Sequence, residues 1–281
     1  MIICNDRSSL SRALLPFRKD KKIGLIPTMG SLHSGHLNII QQALNENDCA
    51  VVSVFVNPTQ FDKKSDLIKY PRNLDLDVKL MSQLEGLVIV YAPEASELYS
   101  GNVASKGYNF GNIENEMEGK YRKGHFDGVG TVVNLLLRAV SPDVAYFGEK
   151  DFQQLQIVRK LVEIEGLSVK IAGCSIVREK SGLAMSSRNK RLNPEQLEAA
   201  ALINKTLQEV KEQFDHLSIP KLNELVKARF LQSQYLKLEY FEVANIQTLK
   251  TAKHKIKKNK YRAFIAAFAG EIRLIDNIAL N

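Results

Sequence analysis

A short apolar run that passes abruptly into a helical pattern is the feature that most constrains the fold of this chain. The run covers residues 23–26 and predicts a buried strand that stops at Pro27. Small or flexible residues at 28–31 suit a tight turn, and apolar positions from Leu37 to Leu44 predict a helix with one apolar side. A strand that turns directly into a helix aims backbone N–H groups and the positive end of the helix dipole at one point, which suits phosphate.

Two histidines open this predicted helix. His33 and His36 are three residues apart, so they lie on one face of the first turn, and Gly35 between them leaves room for a nucleotide. The segment is not a P-loop, because no Gly-Lys-Ser/Thr follows the turn, and it is not a GxGxxG fingerprint. Residues 33–36 resemble the HIGH signature of enzymes that transfer adenylate from ATP. The alternative is a helix end that carries two solvated histidines.

Apolar runs alternate with helical patterns through the first 175 residues. Strands are predicted at 51–56, 87–91, 144–147 and 168–174, and helices at 8–17, 73–84, 128–140 and 151–165. This alternation predicts an α/β fold with a Rossmann-like, doubly wound parallel sheet over residues 1–175. Such folds bind ligands beyond the carboxyl ends of their strands, and the polar motifs of this chain fall there.

The alternation of strand and helix patterns ends after residue 175. Helices are predicted at 194–214 and 219–232, followed by strands at 236–243, 261–268 and 271–275, the last two joined as a hairpin at Gly270. Helices followed by antiparallel strands indicate a second, smaller α+β domain over residues 176–281. We expect this domain to act as a lid.

Composition narrows the function class. The 281 residues are 44% hydrophobic and 25% charged, and no apolar run approaches the roughly 20 residues of a membrane span. Asn5, Asp6 and Arg7 interrupt any signal-peptide core, so we expect a cytoplasmic protein with no membrane partner. Three isolated cysteines predict buried thiols rather than disulfides or a zinc site, namely Cys4, Cys49 and Cys174.

The net charge of +8 suits an anionic partner such as ATP, and it also suits RNA. Part of the excess lies in a lysine-rich run between residues 250 and 260. No aromatic side chains interleave its lysines as a nucleic-acid platform requires, so we interpret the run as a solvated loop.

Two polar motifs follow the predicted strands of the first domain. Asn57 and Gln60, in NPTQF, offer donors and acceptors that hold a hydroxy acid without added charge, although Asn-Pro also builds common turns. After a later strand, Lys150 is a mobile point charge for phosphate, and Asp151 is either a helix cap or a ribose acceptor. One of the two glutamines at 153 and 154 is expected to face the cleft.

Two further segments carry clustered charges or donors. Residues 117–128, MEGKYRKGHFDG, are either a lid over phosphates or a solvated loop. Residues 185–188, MSSR, combine two hydroxyls and a guanidinium that suit a triphosphate, with a helix-capping serine pair as the alternative. Because they follow the domain junction, they are expected to close over ATP.

Seven segments occur in the order found in one known family. From about Ile23 to its C-terminus the chain resembles the pantothenate synthetases, also called pantoate–β-alanine ligases. The resemblance is carried by IPTMGSLHSGH, VNPTQF, YPR, GHFDGV, FGEKDFQQ, GLAMSSRN and RLIDN. It implies that ATP and pantoate give pantoyl adenylate and pyrophosphate, and that β-alanine then gives pantothenate and AMP. With no nucleophile elbow in the sequence, catalysis is expected to rest on positioning and charge stabilisation.

The resemblance also implies roles for individual residues. His36 is the proton donor, His33 shares the catalytic site, and Lys150 and Arg188 stabilise phosphate charge. Gln60 contacts pantoate and β-alanine, Gln154 contacts pantoate, and Asn57 shapes the amine site. The implied ATP-binding residues are Met29, Gly30, Ser31, Leu32, His33, Ser34, Gly35, His36, Gly148, Glu149, Lys150, Asp151, Val177, Met185, Ser186, Ser187 and Arg188.

Mg²⁺ is expected to bridge ATP oxygens with few protein ligands. The family's acidic patch matches Asp75 and Asp77, but Leu76 stands between them, so Asp77 is the predicted metal contact. Lys123 and Ser181 replace a common Pro and Asp in loops, and we expect shifted kinetics there rather than lost function. The resemblance further implies a homodimer formed through the first domain, with no nucleic-acid partner.

Two other functions stay open at this point. Another HIGH-type enzyme, such as a nicotinamide-mononucleotide adenylyltransferase or a small tRNA synthetase relative, is not expected to carry NPTQF and FGEKDFQQ. An RNA-binding or nucleotide-sensing module without turnover is supported by the positive charge, whereas the complete set of motifs argues against it.

Overall fold

The computed structural model describes residues 1–61, 67–68, 70–99 and 101–281, and these group into two compact units. Unit 1 comprises residues 1–114, 118–149 and 154–175, and unit 2 comprises residues 115–117, 150–153 and 176–281. Two short segments of the first predicted domain are thus grouped with the second unit. The domain division at residues 1–175 and 176–281 stays a prediction.

The described residues of unit 1 form a parallel sheet of six strands in the order β1-β4-β3-β2-β5-β6. The predicted doubly wound parallel sheet is therefore confirmed. From β2 the chain winds outward through β3 and β4, then returns to β5 on the other side, so the carboxyl ends of β2 and β5 flank the topological switch point. The strands are β1 Ile2–Cys4, β2 Ile23–Thr28, β3 Cys49–Val54, β4 Val88–Tyr91, β5 Val144–Gly148 and β6 Lys170–Cys174.

Helices connect these strands. Every residue of β4 is buried, as is nearly every residue of β3, which is the pattern of parallel strands covered on both faces. The helices whose two ends both lie within the described ranges are α1 Arg7–Leu14, α2 Ser34–Glu46, α3 Leu74–Met81, α4 Ala95–Tyr99, α5 Met117–Tyr121, α6 His125–Val140 and α7 Phe152–Glu165. Short 3-10 turns cover Leu15–Phe17, Pro58–Gln60, Ile113–Asn115, Glu149–Asp151 and Ser187–Arg191.

Two local expectations in unit 1 need correction. Pro27 does not stop β2, which continues to Thr28 and pairs Pro27 with Ser53 of β3. The backbone nitrogen of Pro27 faces the β5 side of β2. Among the described residues β5 pairs only with Gly24 and Leu25 of β2, so the missing N–H of Pro27 costs no hydrogen bond of the sheet. Strand β1 was not predicted, because it has only three residues and its apolar side chains are largely exposed at the sheet edge.

Unit 2 pairs two helices with an antiparallel sheet. Its described strands follow the order β7-β8-β9, and β8 and β9 form a hairpin at Gly270, whose φ is +59°. These elements confirm the predicted α+β character of the C-terminal part. The elements are α8 Pro194–Gln213, α9 Ile219–Leu231, β7 Leu236–Asn245, β8 Tyr261–Ala269 and β9 Ile272–Ala279.

Several composition-based predictions are also tested. All six lysines between residues 250 and 260 are exposed in the connection from β7 to β8, as expected of a solvated loop. Cys4, Cys49 and Cys174 are buried free thiols, and burial raises the pKa of Cys49 and of Cys174 to about 11. Across the described part of the chain, no helix combines the length and hydropathy needed to cross a bilayer.

One acidic side chain connects three segments of unit 1. Glu165, at the end of α7, accepts from Lys106 Nζ at 2.6 Å and from Arg138 Nη2 on α6 at 2.7 Å. The hydrogen bond from Lys106 lowers the pKa of Glu165 from 4.5 to about 2, with a further contribution from Arg138. This pairing ties the segment around residue 106 to the ends of α6 and α7.

We predict that Glu165→Gln lowers the free energy of unfolding of unit 1 at pH 7, as measured by urea denaturation. Because the folded pKa is depressed, the stabilisation is complete above about 4.5 and is lost as pH falls towards 2. The difference between variant and wild type should therefore shrink over that range. Glu163→Gln, on the same helix and paired with exposed Lys160, is the control and should change stability by less than about 0.5 kcal/mol. Equal effects of the two substitutions at pH 7 would contradict the assignment.

Candidate active site

The loop from β2 to α2 has a backbone shape that few sequences adopt. Gly30 and Ser31 have φ values of +76° and +52°. A Cβ on Gly30 would lie 2.9 Å from Oδ2 of Asp77 and 3.0 Å from Cγ1 of Val54, so only glycine fits this position. Thr28 Oγ1 accepts from Gly30 N at 3.1 Å and donates to Ser53 O at 2.6 Å, which ties the start of the loop to β3.

Asp77 holds the centre of this loop. Its side chain on α3 is buried, and the residue is only 2% exposed. Oδ2 accepts from Ser31 N at 2.9 Å and Oδ1 accepts from Leu32 N at 2.7 Å. Hydrogen bonds from two backbone donors compensate the burial of the carboxylate. The backbone N–H groups of Ser31 and Leu32 therefore already have a partner in Asp77, and the contact of these two residues with ATP stays a prediction.

The two histidines form a capping box at the start of α2. His33 is the N-cap residue, and its Nδ1 accepts from Gly35 N at 3.1 Å. Nδ1 of His36 accepts from His33 N at 3.3 Å, and the two rings lie 4.1 Å apart between centroids. A backbone N–H can only donate, so both rings are neutral and carry their proton on Nε2. The pair therefore presents two Nε2–H donors from half-buried side chains.

Asn57 is the centre of a second hydrogen-bond network, after β3. Its side chain is fully buried. Oδ1 accepts from the hydroxyl of Tyr99 at 2.6 Å and from that of Thr59 at 3.0 Å, while Nδ2 donates to Gln60 Oε1 and to Gly128 O, both at 3.1 Å. Burial raises the pKa of Tyr99, so its hydroxyl stays protonated and donates. Asn57 thus orients the neighbouring amide.

Gln60 is held from several sides. Its Nε2 donates to Met29 Sδ at 2.9 Å, and Asn57 contacts its Oε1, so both ends of the amide have partners within unit 1. Its backbone oxygen lies 2.9 Å from His125 Nδ1 and 3.3 Å from Arg122 Nη2. Arg122 Nη1 lies 3.0 Å from His125 Nε2, and since arginine only donates, the imidazole proton lies on Nδ1 and points at Gln60.

The GHFDG part of residues 117–128 is therefore not a solvated loop. His125 is buried and opens α6, and Gly128 one turn later lies against the NPTQF backbone. A Cβ on Gly128 would lie 2.5 Å from Thr59 O, so glycine is required for this close approach. Lys123, the departure from the family pattern, is exposed.

Lys150 belongs to unit 2. Its side chain is 21% exposed, and Nζ lies 3.6 Å from Oδ2 of Asp151, which is itself 47% exposed. Gly148 and Glu149, at the end of β5, belong to unit 1. Lys150 therefore combines partial burial with a loose ion pair to a solvated carboxylate, which leaves its ammonium group able to exchange partners.

The two glutamines differ. Gln153 of unit 2 is 4% exposed and donates to Glu116 O at 2.8 Å, which gives it a structural hydrogen bond. Gln154 of unit 1 is half-buried. Of the pair, Gln154 is the better candidate for ligand contact, and its assignment to pantoate stays a prediction.

The segment 185–188 extends from a small hairpin in unit 2. Met185 N donates to Val177 O at 3.0 Å, and Arg178 pairs with Ala184 in an antiparallel bridge. Ser186 Oγ accepts from Arg188 N at 3.3 Å and caps the 3-10 turn Ser187–Arg191. The capping alternative therefore holds for Ser186. Val177, Met185, Ser187 and Arg188 are half-buried.

The residues present do not fit a protein-held Mg²⁺. In the part of the chain that the structure describes, no group of three or more His, Cys, Asp or Glu side chains lies close enough to hold a metal ion. Both oxygens of Asp77 accept from backbone N–H groups, whereas Asp75 is exposed. The geometry favours a positioning role for Asp77, and its metal contact stays a prediction.

The structure divides the predicted site residues between the two units. Unit 1 contains the predicted residues that come after the carboxyl ends of β2, β3 and β5, namely residues 29–36, Asn57, Gln60 and Gln154. Unit 2 contains Lys150, Asp151, Val177 and residues 185–188. Two contributors were not predicted from the sequence. Tyr99 carries no local sequence signal for its hydrogen bond to Asn57. The close packing of Gly128 against Thr59 had only a weak signal, a glycine one turn after the start of a helix.

Comparisons with known proteins agree with one another. The profile of the family described as pantoate-beta-alanine ligase matches residues 2–279. Pantothenate synthetases of Christiangramia forsetii and Flavobacterium psychrophilum are each 50% identical over 282 residues, covering 100% of this chain and 100% of the relative.

Solved structures show the same likeness. A crystal structure of pantothenate synthetase from Thermus thermophilus is 34% identical, with a TM-score of 0.91 and coverage of 100% of this chain and 99% of that one. Pantoate-beta-alanine ligase from Francisella tularensis, complexed with beta-gamma ATP and beta-alanine, is 35% identical, with a TM-score of 0.80 and coverage of 100% and 98%. This chain therefore belongs to the pantoate–β-alanine ligase family.

Proposed function

We propose that this protein joins pantoate to β-alanine at the expense of ATP and supplies pantothenate, releasing AMP and pyrophosphate. The observation that carries the proposal is the full-length likeness to the Francisella tularensis ligase, which holds an ATP compound and β-alanine. The donor-bearing residues of each unit support it, because an acyl-adenylate reaction needs donors for phosphate and neutral polar groups for a hydroxy acid.

The proposed chemistry has two displacements. A carboxylate oxygen of pantoate attacks the α-phosphorus of ATP, the new P–O bond forms, and pyrophosphate leaves. The uncharged amine of β-alanine then attacks the acyl carbon of pantoyl adenylate, loses one proton, and AMP leaves with the electron pair of the broken C–O bond. Charge accumulates on phosphate oxygens in both steps, so fixed donors at those oxygens lower the barrier.

In this proposal, individual residues have separate roles in binding and stabilising the phosphates. The Nε2–H groups of His33 and His36 donate to phosphate oxygens, with His36 as the principal catalytic donor, and each ring is held by a backbone N–H at Nδ1. Lys150 and Arg188 add positive charge at the departing phosphate. Residues 29–36, 148–151, 177 and 185–188 bind ATP in this proposal.

The acid and amine are assigned to the Asn57 network. Gln60 has an amide whose orientation is already set by Asn57 and Met29, so it recognises pantoate and β-alanine without first losing side-chain freedom. Gln154 contacts pantoate, and Asn57 shapes the amine site. We further propose that Mg²⁺ arrives with ATP, that the protein forms a homodimer through its first domain, and that it works in the cytoplasm.

Incubation of the protein with ATP, pantoate and β-alanine should give pantothenate, AMP and pyrophosphate in equal amounts, as measured by mass spectrometry. Omission of β-alanine should leave enzyme-bound pantoyl adenylate, and omission of pantoate should leave ATP intact. RNA binding without any ATP-driven product, or adenylation of nicotinamide mononucleotide instead, would contradict the proposal.

We predict that His36→Ala lowers the rate of pantoyl-adenylate formation by roughly 10²–10³, because one preorganised donor to the developing phosphate charge is lost. Single-turnover measurement of pyrophosphate release tests this. Since His36 also accepts from His33 N, the melting temperature is recorded in parallel. Asn38→Ala, at an exposed position on the same helix, is the control and should react at the wild-type rate. Normal adenylate formation by His36→Ala would remove this residue from its role.

For Asp77→Asn we predict a lower melting temperature and a higher KM for ATP, because the new NH₂ group faces two backbone donors. An unsatisfied buried donor costs about 1–3 kcal/mol. The matched control is Asp75→Asn, which removes the same charge from an exposed position in the same helical turn.

Stability in EDTA without nucleotide separates the two roles of Asp77. If its carboxylate holds the loop, Asp77→Asn melts at a lower temperature even when no metal is present. If the carboxylate serves only as a metal ligand, metal-free stability is unchanged and added Mg²⁺ restores the KM for ATP.

A further inference from the structure

The segment RLIDN on β9 carries two buried polar residues that the proposed site does not use. Asp276 is 3% exposed and Asn277 is 1% exposed, both within unit 2. Successive residues of a strand point to opposite faces of the sheet, so neighbouring side chains reach different segments of the chain. Buried polar side chains at such positions are retained only where partners satisfy them.

Asn277 holds the backbone of Lys150. Its Nδ2 donates to Lys150 O at 2.8 Å. Its Oδ1 accepts from Nη1 of Arg262 on β8, and the guanidinium of Arg262 lies 4.1 Å from the ring centroid of Phe152. Because Arg262 occupies the oxygen, the amide cannot flip, and its NH₂ stays directed at Lys150 O. The residues on either side of position 151 are thereby fixed against the sheet of unit 2.

Asp276 holds the hairpin that leads into residues 185–188. Its two oxygens accept from Nη1 and Nη2 of Arg178 at 2.6 and 3.1 Å, a bidentate pair. Nη1 of Arg178 also donates to Gly182 O at 3.0 Å, at the tip of the same hairpin. Oδ1 of Asp276 additionally accepts from the backbone N–H of Asn277 at 2.8 Å, which fixes the Asp276 side chain against its own strand.

We infer that Asp276 and Asn277 act as positioning residues for the ATP-binding groups of unit 2. One dipeptide on a rigid strand fixes the backbone that carries Lys150 and, through Arg178, the hairpin that carries Met185 to Arg188. The inference rests on the proposed function and extends it, because it names the residues that set where the two cationic groups stand. Neither side chain contacts ATP in this scheme.

Steady-state kinetics on Asn277→Ala and Asp276→Asn tests the inference. We expect the KM for ATP to rise roughly three- to tenfold in each variant, the scale of one lost buried hydrogen bond, while the KM for β-alanine stays within a factor of about two. Asn281→Ala is the matched control. The side chain of Asn281 likewise bonds to backbone groups of unit 2, because it accepts from Tyr261 N and donates to Asn259 O. It should lower the melting temperature without changing the KM for ATP.

A double-mutant cycle gives the sharper readout. In a Lys150→Ala background, Asn277→Ala should raise the KM for ATP less than it does in the wild type, because its effect passes through Lys150. Asp276→Asn should keep its full effect in that background, since it acts through Arg178. Additive effects of Asn277→Ala and Lys150→Ala, or a fall in melting temperature with an unchanged KM for ATP, would overturn the inference.

A second variant and a binding measurement complete the experiment. Asn277→Ser retains a small hydroxyl donor and takes the place of Asn277→Ala if that variant does not fold. Binding of a non-hydrolysable ATP analogue is measured by calorimetry on each protein. A wild type that neither binds the analogue nor forms product defeats the proposed function, whereas an active wild type with unaffected variants defeats this inference alone.

Discussion

The buried carboxylate of Asp77 is the interaction on which the loop between β2 and α2 depends. It accepts from two successive amides of a loop whose preceding glycine lacks room for a side chain. The loop shape then determines where α2 begins and so where its histidines stand. An ionised group buried with two strong donors is an all-or-none arrangement, because a loop that drifts away would leave the charge without partners.

The same principle recurs in the other groups proposed to act on substrates. Both histidine rings are held at Nδ1, the amide of Gln60 is held by Asn57 and Met29, and the backbone of Lys150 is held by Asn277. The two rings and the amide are thereby oriented by partners within their own unit before a ligand arrives, whereas for Lys150 it is the backbone that is fixed. Preorganised donors of this kind need little reorganisation as charge develops, which is the main requirement of a reaction without a covalent enzyme intermediate.

Patterns of apolar residues were sufficient to predict the parallel sheet and the α+β character of the C-terminal part, because burial on one or both faces imposes a period on the sequence. Local motifs likewise indicated the family. The role of Asp77 was not predictable, since its partners lie 45 and 46 residues earlier and an acidic residue in a helix start suggests a metal or a cap equally well. Tyr99, which lies 42 residues from Asn57, was missed for the same reason.

Amide hydrogen exchange at Ser31 and Leu32 in the nucleotide-free protein tests the central claim most directly. If a buried carboxylate holds the loop before any ligand binds, both amides exchange far more slowly than an unstructured chain does, and Asp77→Asn removes that protection while the amides of β2 remain slow. Exchange of both amides at the rate of a free loop in the wild type, with protection gained only when ATP is added, would contradict the account.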